Sequence, residues 1–390
     1  MTLKSKLPEF NLDQKRVFLR ADLNVPLSNG TILDDFKLKS ILPTINLILQ
    51  KHGKVILATH IGRPTGYDAQ LSTKNLINWF VNHGYKIEFE PDIDKAYEKS
   101  LKNSDTILLL ENLRFLDGKQ QNDQKFADQL KNLADYYVND AFGTLHRDDT
   151  SLTLLPQLFD QQHKTIGLLV EKELHALQKL KTPEHPFLLI LGGAKIKDKL
   201  EMVMHLLNKV NTIALCPATV FTFLKAHHIN IGKSLVQDDL LQFTLDLEQE
   251  AQDKNVKIIY PQDYLVAKKN LQGNLEVIDA DKFSSEDMGI SIGPKTVDVF
   301  IEEIKKAKTI FFNGLPGFIE RKETLENINK IFDAISRSNA YCVIGGGDSV
   351  AAAIILGYEN KITHLSTGGG AVLYFLSNQE LPGLKYLPGN

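Results

Sequence analysis

The sequence predicts an α/β protein built from two doubly wound, Rossmann-like parallel-sheet domains joined by a bridging helix. Its length of 390 residues, at roughly 150 per domain, points to two domains. β-branched and leucine-rich runs recur along the whole chain, most of them apolar on both faces, as parallel strands covered by helices must be. Amphipathic stretches separate these runs, and strands alternating with helices give α/β architecture. The number of runs divides more readily between two sheets than into one barrel, which is the competing reading.

In order, the first-half strands are expected at 16–25 (RVFLRADLNV), 54–62 (KVILATHIG), 106–114 (TILLLENLR) and 136–143 (YYVNDAFG). Those of the second half are 187–194, 212–216, 257–261, 309–314, 341–347 and 363–370. Helical stretches lie between them, for example 123–136 and 198–210. Trp79 and the phenylalanines are expected in the cores. The seam is 167–186, which begins as a helix and is broken by Pro183 and Pro186. We read it as the bridge between a domain at 1–166 and another at 187–372, although a surface helix satisfies its periodicity equally well.

Composition excludes several classes. Lys+Arg 45 against Asp+Glu 48 leaves a charge of -3, too balanced for a nucleic-acid coat or a polyacidic tail. Cys216 and Cys342 lie far apart without metal-ligand spacing, so no disulfide scaffold is expected and a reducing cytoplasm fits. No run of apolar residues is long enough for a membrane span. A soluble cytoplasmic monomer, without nucleic-acid or membrane partners, is the expectation.

Ligands of doubly wound sheets bind beyond the carboxyl ends of the strands. In the first half those positions carry Asp22 and Asn24, then His60 and Arg63, then Arg114, then His146 and Arg147, with Lys37 in the segment after the first strand. Cations recurring after successive strands suit a small, multiply anionic ligand, because guanidinium binds phosphate and carboxylate bidentately. In the second half, strand–glycine–helix elements recur at 190–199, 343–352 and 365–376. There backbone N–H groups and a helix N-terminus can approach a phosphate, and Lys195 and Lys199 add charge. Asp348 among the glycines is a candidate Mg²⁺ ligand, and equally a helix cap. None of these elements has the P-loop spacing, and Val350 breaks a dinucleotide fingerprint.

Taken in order, 16–26, 58–64, 111–115, 138–147, 191–199, 292–296, 307–314, 345–352, 366–371 and 381–384 resemble the phosphoglycerate kinase family over nearly the whole chain. The resemblance implies reversible phosphoryl transfer between 1,3-bisphosphoglycerate and ADP, giving 3-phosphoglycerate and ATP, with Mg²⁺. It gives the N-terminal domain, completed by 373–390, to the phosphoglycerate and the C-terminal domain to the nucleotide. By the same resemblance Asp22, Leu23, Asn24, Lys37, His60, Ile61, Gly62, Arg63, Arg114 and Arg147 line the substrate site. Lys195, Lys199, Glu320, Gly346, Gly347, Asp348 and Ser349 bind nucleotide, with Asp348 toward the metal. Lys37, Arg63, Lys195, Gly369 and Gly370 fall in catalytic positions. The chain departs from the family pattern at Lys37 (an Arg there), at 216–223 (glycines lost to Cys216, Pro217 and Ala218), at Ser291 (an Asp), at 315–319 and at Tyr374 (a Glu). Most departures lie on the nucleotide side, which keeps open an alternative, a catalytically impaired kinase-like protein that binds phospho-ligands.

Overall fold

The computed structural model describes residues 3–102, 105–116, 123–193, 196–268 and 273–388. It divides into two compact units. The first runs to His175 and takes the chain back from Glu380; the second is Ala176–Gln379.

The strands of the first unit are β1 (Arg16–Ala21), β2 (Leu27–Ser28), β3 (Thr31–Ile32), β4 (Lys54–Ala58), β5 (Ile87–Glu90), β6 (Ile107–Leu110), β7 (Tyr136–Asp140) and β8 (Lys164–Ile166). Six form one sheet in the order β5-β6-β4-β1-β7-β8, while β2 and β3 make a small hairpin. All pairings in the large sheet are parallel, with Phe18 of β1 opposite Ile56 of β4 and Tyr137 of β7. β1 is central because five of its six residues are buried, and a strand apolar on both faces is stable only under helices on both sides. The helix Phe36–Gln50 turns Leu38, Ile41, Ile45 and Ile48 onto this sheet, against Val17, Leu19, Val55 and Leu57.

The second unit contains β9 (Phe187–Leu191), β10 (Thr212–Leu215), β11 (Lys257–Ile259), β12 (Asp263–Lys268), β13 (Leu275–Asp279), β14 (Asp287–Ile292), β15 (Thr309–Asn313), β16 (Tyr341–Gly345) and β17 (His364–Leu365). Its six-stranded parallel sheet runs β11-β10-β9-β15-β16-β17. The order reverses between β9 and β15, the switch point where doubly wound sheets open a crevice. An antiparallel sheet, β13-β12-β14, lies apart from it.

Each of the ten expected strands is present, in two doubly wound parallel sheets as read from the sequence. The helix Leu168–Lys181 ends just before Pro183, and the compact units divide within it, at His175–Ala176. The expectation that Trp79 is core is corrected. The indole is only partly buried, because its Nε1–H reaches the Asp35 carboxylate at 3.1 Å, where the helix Phe36–Gln50 begins. Among the described residues no helix is long and apolar enough to cross a membrane.

Candidate active site

In the first unit, four adjacent parallel strands, β6, β4, β1 and β7, end side by side and deliver their following residues to one cluster. Lys37, from the first turn of Phe36–Gln50, donates to Asp22 Oδ2 at 2.7 Å. Burial would raise the Asp22 carboxyl, but the charge and hydrogen bond of Lys37 outweigh it and hold the group at about 2. Asn24 Oδ1 accepts the Gly62 N–H at 2.8 Å, and Arg114 Nη1 donates to the Gly62 carbonyl. Burial lowers Arg114 to about 10, and repulsion from Arg147 adds to this. His60 is buried; burial and then the Arg20 charge push its imidazole well below 6.5, so it is neutral at pH 7. Arg63 is exposed, yet close enough for its charge to act on Arg114 and His146.

Leu23 and Ile61 enter this neighbourhood only through their backbone, since both side chains belong to the hydrophobic core. Even there Leu23 N–H is held by Thr59 Oγ1 at 2.9 Å, and the Ile61 carbonyl by Asn112. Arg20 went unnoticed in the sequence. Fully buried in β1, it donates to Ser151 Oγ at 3.0 Å and feels the charges of Asp149, Asp22 and Arg147. A charged residue inside an otherwise apolar parallel strand was the available signal.

Arg20, Lys37, Arg63, Arg114 and Arg147 thus face Asp22 and Asp149, an excess of positive charge in a partly desolvated place. Among the described residues, buried His60 Nδ1 and Arg147 Nε have no hydrogen-bond partner. Orphaned polar atoms of this kind in a cationic cluster fit a small anion with several oxygens.

In the second unit the strand ends carry glycine turns. Gly192 donates to the Asn313 carbonyl at 3.1 Å, locking the end of β9 to that of β15. Gly314 has φ +105°, and a Cβ there would stand 1.9 Å from the Gly192 carbonyl oxygen, so only glycine fits. Lys199, on the helix Lys197–Leu206, donates to that same carbonyl. Burial lowers its ammonium to about 8, against the pull of Cys216 and Asp348. Ser349 Oγ accepts the Gly314 N–H at 3.1 Å, joining the β16 turn to the group. Gly346, at φ +94°, leads into the helix Gly347–Ile355, whose first turn carries Asp348, exposed. From the β10 side, Thr219 Oγ1 donates to the Gly193 carbonyl at 3.1 Å.

Glu320 is exposed in the turn before the helix Lys322–Arg337, and Gly369 is exposed at the start of the short helix Gly370–Leu376. Lys195 lies outside the described residues. Among the described residues no group of three or more His, Cys, Asp or Glu side chains could hold a metal. A single accessible carboxylate beside glycine turns nevertheless fits Mg²⁺, which takes one or two carboxylates and completes its shell with water and substrate phosphates.

A family model described as Phosphoglycerate kinase matches residues 7–379. The chain belongs to the phosphoglycerate kinase family. A phosphoglycerate kinase of Dictyoglomus turgidum is 41% identical, covering 98% of this chain and 97% of the relative. One of Finegoldia magna is 39% identical over 98% of each chain. Among solved structures, the phosphoglycerate kinase of Pyrococcus horikoshii superposes with a TM-score of 0.85 at 30% identity, covering 98% of both chains. That of Coxiella burnetii gives 0.81 at 29% identity, covering 97% of both. Membership of the phosphoglycerate kinase family makes the chain a glycolytic transferase, a kinase whose phosphoryl acceptor is a carboxyl group.

Proposed function

We propose that the first unit is the 3-phosphoglycerate-binding domain, the second the ATP/ADP-binding domain, and that the reaction is reversible transfer between 1,3-bisphosphoglycerate and ADP. The observation that carries this assignment is the cationic cluster with its orphaned His60 Nδ1 and Arg147 Nε, a receptor for a ligand bearing both phosphate and carboxylate. Arg63, Arg114, Arg147 and Lys37 bind those anionic groups, and Asn24 and the Gly62 backbone shape the floor. Lys199, the Gly346–Ser349 turn and Glu320 bind the nucleotide. No observation among the described residues favours the catalytically impaired alternative.

In the direction of ATP use, a carboxylate oxygen of 3-phosphoglycerate attacks the γ-phosphorus in line. The bond to the bridging β–γ oxygen breaks, and ADP leaves. The nucleophile is already ionised, so no general base is needed, and neutral His60 serves as a hydrogen-bonding group. What remains is positioning and charge neutralisation. Lys195 neutralises the moving phosphoryl group, Arg63 and Lys37 hold the attacking carboxylate, and the Gly369–Gly370 N–H groups receive the transferring oxygens. Asp348 would hold Mg²⁺ on the protein side, where the ion would supply charge neutralisation at the nucleotide phosphates. We assign the enzyme to the cytoplasm as a monomer.

Titration calorimetry with each ligand alone tests the division of labour. Arg147→Ala should abolish 3-phosphoglycerate binding and leave ATP binding intact, and Lys199→Ala the reverse. Undiminished 3-phosphoglycerate binding by Arg147→Ala would contradict the assignment.

A further inference from the structure

Of the four strands that end at the anion site, β1, β4 and β6 are followed by loops that are fastened together through a residue with no place in the site itself. Asn112 follows β6 and is fully buried. Its Nδ2 donates to the Ile61 carbonyl at 2.8 Å and to the Leu71 carbonyl at 2.8 Å. Its Oδ1 accepts the Arg114 N–H at 3.1 Å. Two carbonyls on one side and an N–H on the other fix the amide orientation and use both donors. Arg114 in turn donates from Nη1 to the Gly62 carbonyl. Since Ile61 and Gly62 are joined by a peptide bond, the contacts close a ring: Asn112, Arg114, Gly62, Ile61 and back to Asn112.

The ring extends in two directions. Gly62 N–H is held by Asn24 Oδ1 at 2.8 Å, which ties in the loop after β1. Gly62 has φ +65°, and its missing Cβ would lie 2.9 Å from the Leu71 methyls, so the Leu71 that Asn112 holds is also the wall against which Gly62 packs. One amide therefore sets the backbone at Ile61, the wall at Leu71 and the start of Arg114.

We propose that Asn112 is a positioning residue for the reaction, holding Arg114 and the His60–Arg63 loop in their binding geometry before 3-phosphoglycerate arrives. The inference rests on the assignment of that ligand to the first unit. It has a clear physical content, because a site whose donors are already oriented does not spend binding free energy on ordering them. Asn112→Asp keeps the shape but removes both donors and sets a carboxylate oxygen against two carbonyls, leaving buried acceptors unsatisfied.

The test compares steady-state kinetics of wild type, Asn112→Asp and Arg147→Ala for both substrates. Asn112→Asp should raise KM for 3-phosphoglycerate about tenfold or more while KM for ATP changes less than about twofold. Should Arg147→Ala weaken 3-phosphoglycerate while Asn112→Asp does not, or should Asn112→Asp raise both constants equally, the positioning role is overturned and the site assignment stands. If neither variant affects 3-phosphoglycerate, the site assignment fails and the inference with it. Where Asn112→Asp does not fold, amide hydrogen exchange of the ligand-free wild type decides. The Arg114 and Gly62 amides should be strongly protected, and rapid exchange at either would overturn the proposal.

Discussion

Lys37 is the departure with the clearest chemical content. An arginine presents a planar fork to an oxygen pair, whereas lysine offers one compact charge, here directed at Asp22. Its neighbour Lys39 pairs instead with Asp35 at 2.9 Å and is exposed. Lys37→Ala should therefore reduce kcat by at least about tenfold, Lys37→Arg should preserve or raise it, and Lys39→Ala should leave it near wild type. A large loss at Lys39 with none at Lys37 would reverse the assignment. Lys199 gives a pH dependence. Burial holds its ammonium at about 8 in the free protein, and phosphate favours the charged form. Its contribution to ATP affinity is thus complete below that value and lost as pH rises through it, so ATP titrations should be flat from about pH 6.5 to 7.5 and weaken above 8. A constant affinity up to pH 9 would show that Lys199 does not contact phosphate. The site's cations were legible because each follows an apolar strand. Arg20 was not, because its apolar neighbours made it look like a strand residue and nothing more. The buried amide of Asn112 was equally silent, since three hydrogen bonds that join the connection after β4 to the loop after β6 leave no mark in a sequence.

At the scale of elements, strands buried on both faces were readable as continuous apolar runs, and their glycine-rich ends could be recognised as turns. The edge strand β5, of sequence IEFE, alternates polar and apolar residues, and β8 has only three residues. β13, largely exposed, offers no such run, so the antiparallel sheet it forms with β12 and β14 went unread. The turn after β10 carries strain that the sequence suggested only as a loss of glycines. Ala218 sits at φ +66°, ψ -56°, a conformation costly for any residue with a Cβ. Ala218→Gly should accordingly stabilise the protein by up to about 1 kcal/mol, read as a rise in Tm. A fall in Tm would mean that the alanine is unstrained. Gly314 makes the opposite case. Gly314→Ala forces a Cβ into the Gly192 carbonyl and should cost roughly 2–4 kcal/mol, with nucleotide binding lost before 3-phosphoglycerate binding. An unchanged Tm in that variant would contradict the packing described between β9 and β15.

At the scale of the whole molecule, the anionic substrate and the nucleotide are assigned to separate compact units, each with its own parallel sheet and its own chemistry. Each ligand alone should raise the stability of the protein, by about 2.7 kcal/mol when present at 100 times its dissociation constant. Neither alone supports turnover, because transfer needs donor and acceptor on one molecule. The most direct measurement is a coupled assay of acyl phosphate formation from 3-phosphoglycerate and ATP with Mg²⁺, trapping the 1,3-bisphosphoglycerate as it forms. Turnover should be sustained and dependent on both substrates, with one ADP released per acyl phosphate trapped, and should be lost in Lys195→Ala. Binding of both ligands without acyl phosphate, or undiminished turnover in Lys195→Ala, would contradict this mechanism.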